Sequence, residues 1–310
     1  MRIAFIGQQD FAKATLEAFL ARGDEVAGVF CAPEKEGARP DALKVAAQEK
    51  GLKVFQFKSL RDKEAMEAMK GLNADIGIMA FVLQFAPQDF VNIPKHGTIQ
   101  YHPSLLPKYR GPSSINWPII KGETKTGLTI FRPTDGLDEG PVILQKETPI
   151  GPDDTLGSVY FDRLFPMGVQ AMLEAADLVM AGKHREVVQD ESQASYEGWC
   201  RTAEAKINWA NHVDFVHDLI RGTNPAPGAW TTLNGETLQI FDCRKHSVRT
   251  FGAVKGKIGE VTDVTDKSFF VTAQGGRIEV LRAKGAQTKK LTGGEIAQAL
   301  KLANGTLLGT

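Results

Sequence analysis

Three polar side chains in this sequence could act together on one ligand: Gln100 and His102, two residues apart, and Asp138 further along the chain. The run from Gly97 to His102 reads as a strand. Side chains on a strand repeat every two residues, so Gln100 and His102 point to one face and Tyr101 to the other. A carboxamide and an imidazole then point together. Asp138 sits in Asp135-Gly-Leu-Asp-Glu-Gly140, a glycine-bracketed loop from which a carboxylate can move protons. Between the two lies Pro103-Ser-Leu-Leu-Pro-Lys-Tyr-Arg-Gly111, dense in residues that stiffen the backbone. The remaining histidines, His96, His184, His212, His217 and His246, form no ligand constellation, and Cys31, Cys200 and Cys243 lack C-x-x-C spacing. No metal and no disulfide framework is expected.

The elements that must hold these residues can be read from apolar periodicity. Short apolar runs at Arg2–Gly7, Glu25–Phe30, Lys53–Phe57 and Ala74–Leu83 alternate with helical patterns at Phe11–Arg22, Ala42–Lys50 and Lys63–Met69. Such alternation predicts an α/β domain with a parallel sheet and helices on both faces. Open sheets of this kind bind ligands beyond the carboxyl ends of their strands, which places the site just after Gln100-Tyr101-His102. Further strands are expected at Gly127–Phe131 and Val142–Glu147, and one long helix over Thr155–Ala181. Gly7 follows the first strand, but Gly7-Gln-Gln-Asp-Phe-Ala lacks the later glycines of a dinucleotide fingerprint.

The polar stretch from Glu186 has no periodicity and reads as a linker, 186–202, between a domain over 1–185 and a second over 203–310. In the second, a helix over Val213–Arg221 precedes short strands at Ala229–Thr232, Thr237–Phe241, Gly256–Val264, Phe269–Thr272 and Gly276–Leu281, a pattern suited to a small antiparallel barrel. Thirty-seven Lys and Arg balance thirty-seven Asp and Glu, which excludes a strongly basic nucleic-acid binder. Residues 203–310 carry fourteen basic and ten acidic side chains, a mild asymmetry in which Arg282, Lys284, Lys289 and Lys290 would be the first candidates for RNA contact. The longest apolar run, Ile76–Leu83, is far shorter than the roughly 20 residues of a membrane span. The N-terminus fits neither a signal nor a transit peptide, so a cytoplasmic setting without membrane contact is expected.

The run His102-Pro-Ser-Leu-Leu-Pro-Lys-Tyr-Arg-Gly111 resembles the His-x-Ser-Leu-Leu-Pro-x-x-Arg-Gly signature of enzymes that use 10-formyltetrahydrofolate, and Gly136-Leu-Asp-Glu-Gly140 resembles their Gly-Leu-Asp-Thr-Gly loop. Ala205-Lys-Ile-Asn-Trp209 and Arg221-Gly-x-x-x-x-Pro-Gly-Ala-Trp230 resemble the second-domain approach of methionyl-tRNA formyltransferases and of the hydrolase domain of 10-formyltetrahydrofolate dehydrogenase. The resemblance implies a Rossmann-like formyltransferase domain, an OB-like C-terminal barrel and 10-formyltetrahydrofolate as formyl donor. It also implies a catalytic role for His102 and Asp138, with Gln100 standing where the family places Asn. Pterin contacts would come from Phe81, Gln84 and Phe85, and from Asp135, Gly136 and Leu137. Ser104, Pro107, Arg110 and Gly111 would shape the loop, with Arg110 holding carbonyls or touching substrate.

The dehydrogenase hydrolase domain also lacks that Asn. The loop Cys31-Ala-Pro-Glu-Lys-Glu-Gly-Ala-Arg-Pro40 is short and nearly neutral where the tRNA enzymes carry a long basic one. The expected reaction is therefore formyl release to water or transfer to a small acceptor. Methionyl-tRNA formylation, with initiator tRNA as partner, is the alternative, and a non-catalytic formyl-folate binding module a second one. A separate dehydrogenase partner would supply what these residues lack of that family's larger enzymes.

Overall fold

The computed structural model describes residues 1–250 and 252–309. Their backbone contacts divide into two units. One comprises 1–111, 127–148 and 163–196; the other comprises 112–126, 149–162 and the chain from 197 onward.

The first unit is built on a seven-stranded sheet. Its strands are β1 (Arg2–Gly7), β2 (Glu25–Phe30), β3 (Val54–Phe55), β4 (Ile76–Ala80), β5 (Thr98–His102), β6 (Lys125–Phe131) and β7 (Val142–Pro149), in the order β3-β2-β1-β4-β5-β6-β7. Strands β3, β2, β1, β4 and β5 are parallel. The apolar runs of β1 and β4 are buried along almost their whole length, as central strands covered on both faces must be. Helices α1 (Gln9–Ala21), α2 (Ala42–Glu49) and α3 (Lys63–Gly71) follow the first three strands, and the four-residue α4 (Gln88–Val91) follows β4. Phe11, Phe30 and Phe90 are fully enclosed, each contributing about 1.5–3 kcal/mol relative to exposure. Gly7 has a packing reason: a Cβ there would stand 2.3 Å from the carbonyl oxygen of Ala80 at the end of β4.

The sheet departs from the all-parallel expectation at β6, which runs antiparallel to β5 and sets Gln100 opposite Phe131 and His102 opposite Thr129. A parallel neighbour needs a crossover that packs on the sheet, whereas the connection after β5 contains only α5 (Asn116–Ile120). The long helix expected over 155–181 is also interrupted, into α6 (Leu156–Val159), a π-helical turn at Tyr160–Leu164 and α7 (Phe165–Met180). Pro166 has no N–H to continue an α-helical ladder across that point. In α7, Gly168 lets the helix meet the rings of Tyr101 and Phe11, which stack at 4.2 Å.

In the second unit, α8 (Val213–Gly222) covers a sheet of β8 (Ala229–Leu233), β9 (Glu236–Ser247), β10 (Val261–Val264), β11 (Phe269–Ala273), β12 (Gly276–Gly285) and β13 (Leu291–Thr292), before α9 (Gly293–Ala299). Val213, Val216 and Ile220 pack with Ile240, Ile278 and Val280 in its core. All its described strand pairs are antiparallel, and they follow an open path β10-β11-β12-β9-β8, with β13 added to β12. The expected barrel closure is absent from the described pairings. Ala205-Lys-Ile-Asn-Trp209 pairs with Trp230: Ile207 N donates to Trp230 O, Trp230 N donates to Ala205 O, and Trp209 Nε1 donates to Thr231 Oγ1 at 3.0 Å. Arg221 donates to the carbonyls of Gly151 and Asp154, which ties 149–162 into this unit.

Candidate active site

Strand β5 ends on His102, which is 6% exposed, and the loop between β6 and β7 brings in Asp138, which is 8% exposed. Nδ1 of His102 lies 3.6 Å from Oδ2 of Asp138. The opposite ring nitrogen, Nε2, is 2.9 Å from the carbonyl oxygen of Tyr109. A carbonyl only accepts, so Nε2 carries hydrogen and Nδ1 is the nitrogen turned toward the carboxylate. At 3.6 Å the pair is too long for a direct hydrogen bond and close enough to share one reacting atom.

The loop after His102 is pinned at several points. Ser104 Oγ donates to the carbonyls of Lys108 and Tyr109, and its own carbonyl accepts from Thr129 Oγ1 at 2.7 Å. Thr129 Oγ1 accepts in turn from Leu106 N, and Gln145 Nε2 donates to Leu106 O. The Leu106–Pro107 bond is cis, Tyr109 has φ +59° and Gly111 has φ +102°. The Gly111 amide donates to Oδ2 of Asp138 at 2.9 Å, so the two motifs meet directly.

Gln100 is half-buried on β5 beside His102, and its carboxamide has no hydrogen-bonding partner among the described residues. It is free to donate to a ligand. Arg110, by contrast, is buried and engaged by the protein: Nη2 donates to Gln189 Oε1 at 2.9 Å and to Glu191 Oε1 at 2.6 Å, and Nη1 donates to Glu191 Oε2 at 2.9 Å. The hydrogen-bonded Glu191 carboxylate raises the Arg110 guanidinium above its ordinary range, and Arg110 holds Glu191 below the usual carboxylate range. Gln189 and Glu191 fall inside the polar stretch expected to be a linker. That stretch packs on the site, with Ser195 accepting from Tyr109 N through Oγ and from Arg110 N through its carbonyl. Its lack of apolar periodicity reflects polar contacts to distant loops, for which no sequence pattern exists.

The pterin-contact candidates lie on two neighbouring loops. Phe81 follows β4 with φ +55°, Phe85 is exposed beneath the Arg61 guanidinium, and Leu137 is exposed. Gln84 donates its amide to Phe57 O at 2.8 Å, so that donor is committed to the protein. Asp135 accepts from Gln88 N at 2.8 Å and joins the loop after β4 to the Asp138 loop, with Gly136 between. Of the basic cluster in the second unit, Arg282 pairs with Asp242, and Lys290 lies over the Phe241 ring. Burial, with Arg282 and Lys284 nearby, holds Lys290 below its ordinary value.

Residues 1–176 match the formyl transferase family model and residues 200–301 match the formyl transferase C-terminal domain. The mitochondrial 10-formyltetrahydrofolate dehydrogenase of Homo sapiens is 39% identical over 246 residues, 78% of this chain and 26% of that protein. The chain thus spans about a quarter of the dehydrogenases it matches. The methionyl-tRNA formyltransferase of Syntrophus aciditrophicus (strain SB) is 35% identical over 312 residues, 99% of this chain and 98% of that protein. Among solved structures, WlaRD, a sugar 3N-formyl transferase, shares the fold with a TM-score of 0.66 at 19% identity, over 93% of this chain and 99% of its own. HypX from Aquifex aeolicus in complex with tetrahydrofolic acid does so with a TM-score of 0.63 at 20% identity, over 96% of this chain and 47% of its own. By its sequence matches, in both halves and in order, the chain belongs to the formyl transferase family.

Proposed function

We propose that this protein takes the formyl group from 10-formyltetrahydrofolate and passes it to water, giving tetrahydrofolate and formate, or to a small acceptor. The observation that carries the reading is the 3.6 Å approach of His102 Nδ1 to Asp138 Oδ2, both side chains more than nine-tenths buried. Attack on the formyl carbon turns its oxygen into an oxyanion, toward which the Gln100 carboxamide can donate, and the His102 ring can donate through Nδ1 in its imidazolium form, Nε2–H being held by Tyr109 O. Asp138 takes the proton of the attacking water or amine and returns one to N10 as the carbon–nitrogen bond breaks. The loop after β2 supports a small acceptor: Glu34 accepts from Lys44 Nζ at 3.0 Å and from Gln56 Nε2 at 2.9 Å, so the loop is tied to α2 and to the residue after β3 instead of offering a basic arm.

A second reading, methionyl-tRNA formylation, is favoured by the end-to-end match to the Syntrophus relative. Incubation with 10-formyltetrahydrofolate, with and without methionine-charged initiator tRNA, separates the two. Formate released without tRNA supports the first. Formyl-methionyl-tRNA with little free formate supports the second, and its yield would then fall steeply with salt. Tight folate binding without either product, and without transfer to small amines, would mark a binding module.

A further inference from the structure

Gln189 uses every hydrogen-bonding position of its carboxamide. Its oxygen accepts from Nη2 and Nε of Arg110 at 2.9 and 3.3 Å, and its NH2 group donates to the carbonyls of Asp138 at 2.8 Å and Gly140 at 2.7 Å. The side chain is buried, at 6% exposure. An amide can flip its oxygen and nitrogen, but a guanidinium has only donors and therefore draws the oxygen toward itself. Arg110 thus leaves both N–H groups of Gln189 aimed at the Asp138 loop, and Glu191 anchors Arg110 from its other side.

The loop needs such a hold. Asp138 has φ +55°, in the left-handed region, a strained conformation for a residue with a Cβ. Such a conformation persists when its surroundings over-determine it. Here Gln189 grips the backbone at Asp138 and two residues later, while Gly111 N grips the carboxylate.

We propose that Gln189 is a positioning residue for formyl transfer. It locks the Asp138 turn so that the carboxylate faces His102, and Arg110 serves to orient Gln189. This rests on the reading above that His102 and Asp138 act as a pair. Misplacing a reacting group by about 1 Å can cost about 10²-fold in rate.

The informative variant is Gln189→Glu, which keeps the size and the Arg110 contact but sets a carboxylate oxygen against two carbonyls. Gln189→Ala accompanies it. Turnover and KM for 10-formyltetrahydrofolate, the melting temperature, and the NMR signal of the His102 ring are measured for each. The expected result for Gln189→Glu is a fall in kcat of about 10- to 100-fold, KM within about threefold of wild type, and a displaced His102 signal in a folded protein. A merely structural role would lower the melting temperature while leaving kcat per folded molecule and the His102 signal unchanged, and that result would overturn the proposal. If the wild-type protein moves no formyl group to any acceptor, the functional reading fails, and the ring signal decides the clamp by itself: displacement in Gln189→Glu supports it, and an unmoved signal rejects it.

Discussion

Oδ2 of Asp138 stands 3.6 Å from Nδ1 of His102 while accepting the amide of Gly111 at 2.9 Å, so the carboxylate is set by the same loop that His102 begins. Nε2 of His102 is in turn held by the Tyr109 carbonyl, two residues before that amide. Both groups are therefore oriented by one short backbone segment, which Ser104, Thr129 and Ser195 fasten to β6 and to 186–196.

The Gln100 amide sits one methylene further from the strand than an Asn amide would. Gln100→Asn is expected to raise kcat for formyl release several-fold, by bringing the donor into register with the oxyanion. An unchanged or lower kcat in steady-state assays would mean that the pocket is shaped to the longer side chain.

Gly140 has no room for a side chain, since a Cβ would stand 1.6 Å from the carbonyl oxygen of Arg132. Gly140→Ala must push the Asp138 loop outward, at a cost of about 1–3 kcal/mol. Thermal unfolding should show a melting temperature lowered by several degrees, with activity falling further than stability does. Wild-type activity in the folded variant would mean that the loop's placement does not matter.

Glu34 links the loop after β2 to α2 and to Gln56. The Gln56 hydrogen bond, followed by that of Lys44, lowers its pKa from 4.5 to about 2. A depressed carboxylate contributes stability that is present above its ordinary value and is lost as pH falls through the folded-state value. Glu34→Gln should therefore melt below wild type at pH 7, and the gap should close as pH falls from about 4.5 toward about 2. An equal gap at pH 7 and pH 3 would contradict this.

Burial pushes the Cys31 and Cys200 thiols up to about 11, and it raises Cys243 as well. With so little thiolate present at neutral pH, iodoacetamide should label the native protein slowly at pH 7.5 and all three thiols quickly in denaturant. Fast native labelling at Cys31, read by mass spectrometry, would show that the loop after β2 opens.

Much of this arrangement is legible in the sequence because it depends on local pattern. The continuous apolar runs of β1 and β4 mark buried strands, and the period of two along β5 puts Gln100 beside His102. The direction of β6 is not legible: an apolar run reads the same either way, and only the missing crossover helix turns it antiparallel. Nor could periodicity show the break at Tyr160–Leu164, just ahead of Pro166, or the open path of the C-terminal sheet, which depends on pairing between distant strands. Gln189 is the clearest case of a residue beyond reach. Its four hydrogen bonds, to Arg110, Asp138 and Gly140, reach two loops remote in the chain, and such bonds leave no spacing to find. Gln84 shows the reverse, because a candidate ligand donor is already engaged by Phe57 O.

The most direct test compares purified wild-type protein with Asp138→Ala and His102→Ala, following tetrahydrofolate and formate from 10-formyltetrahydrofolate alongside formylation of charged initiator tRNA and of small amines. Wild type should remove the formyl group, and each variant should lose about 10²–10³-fold or more of that rate while still binding tetrahydrofolate. Removal at the wild-type rate by Asp138→Ala, or no formyl removal by the wild-type protein with any acceptor, would contradict the account.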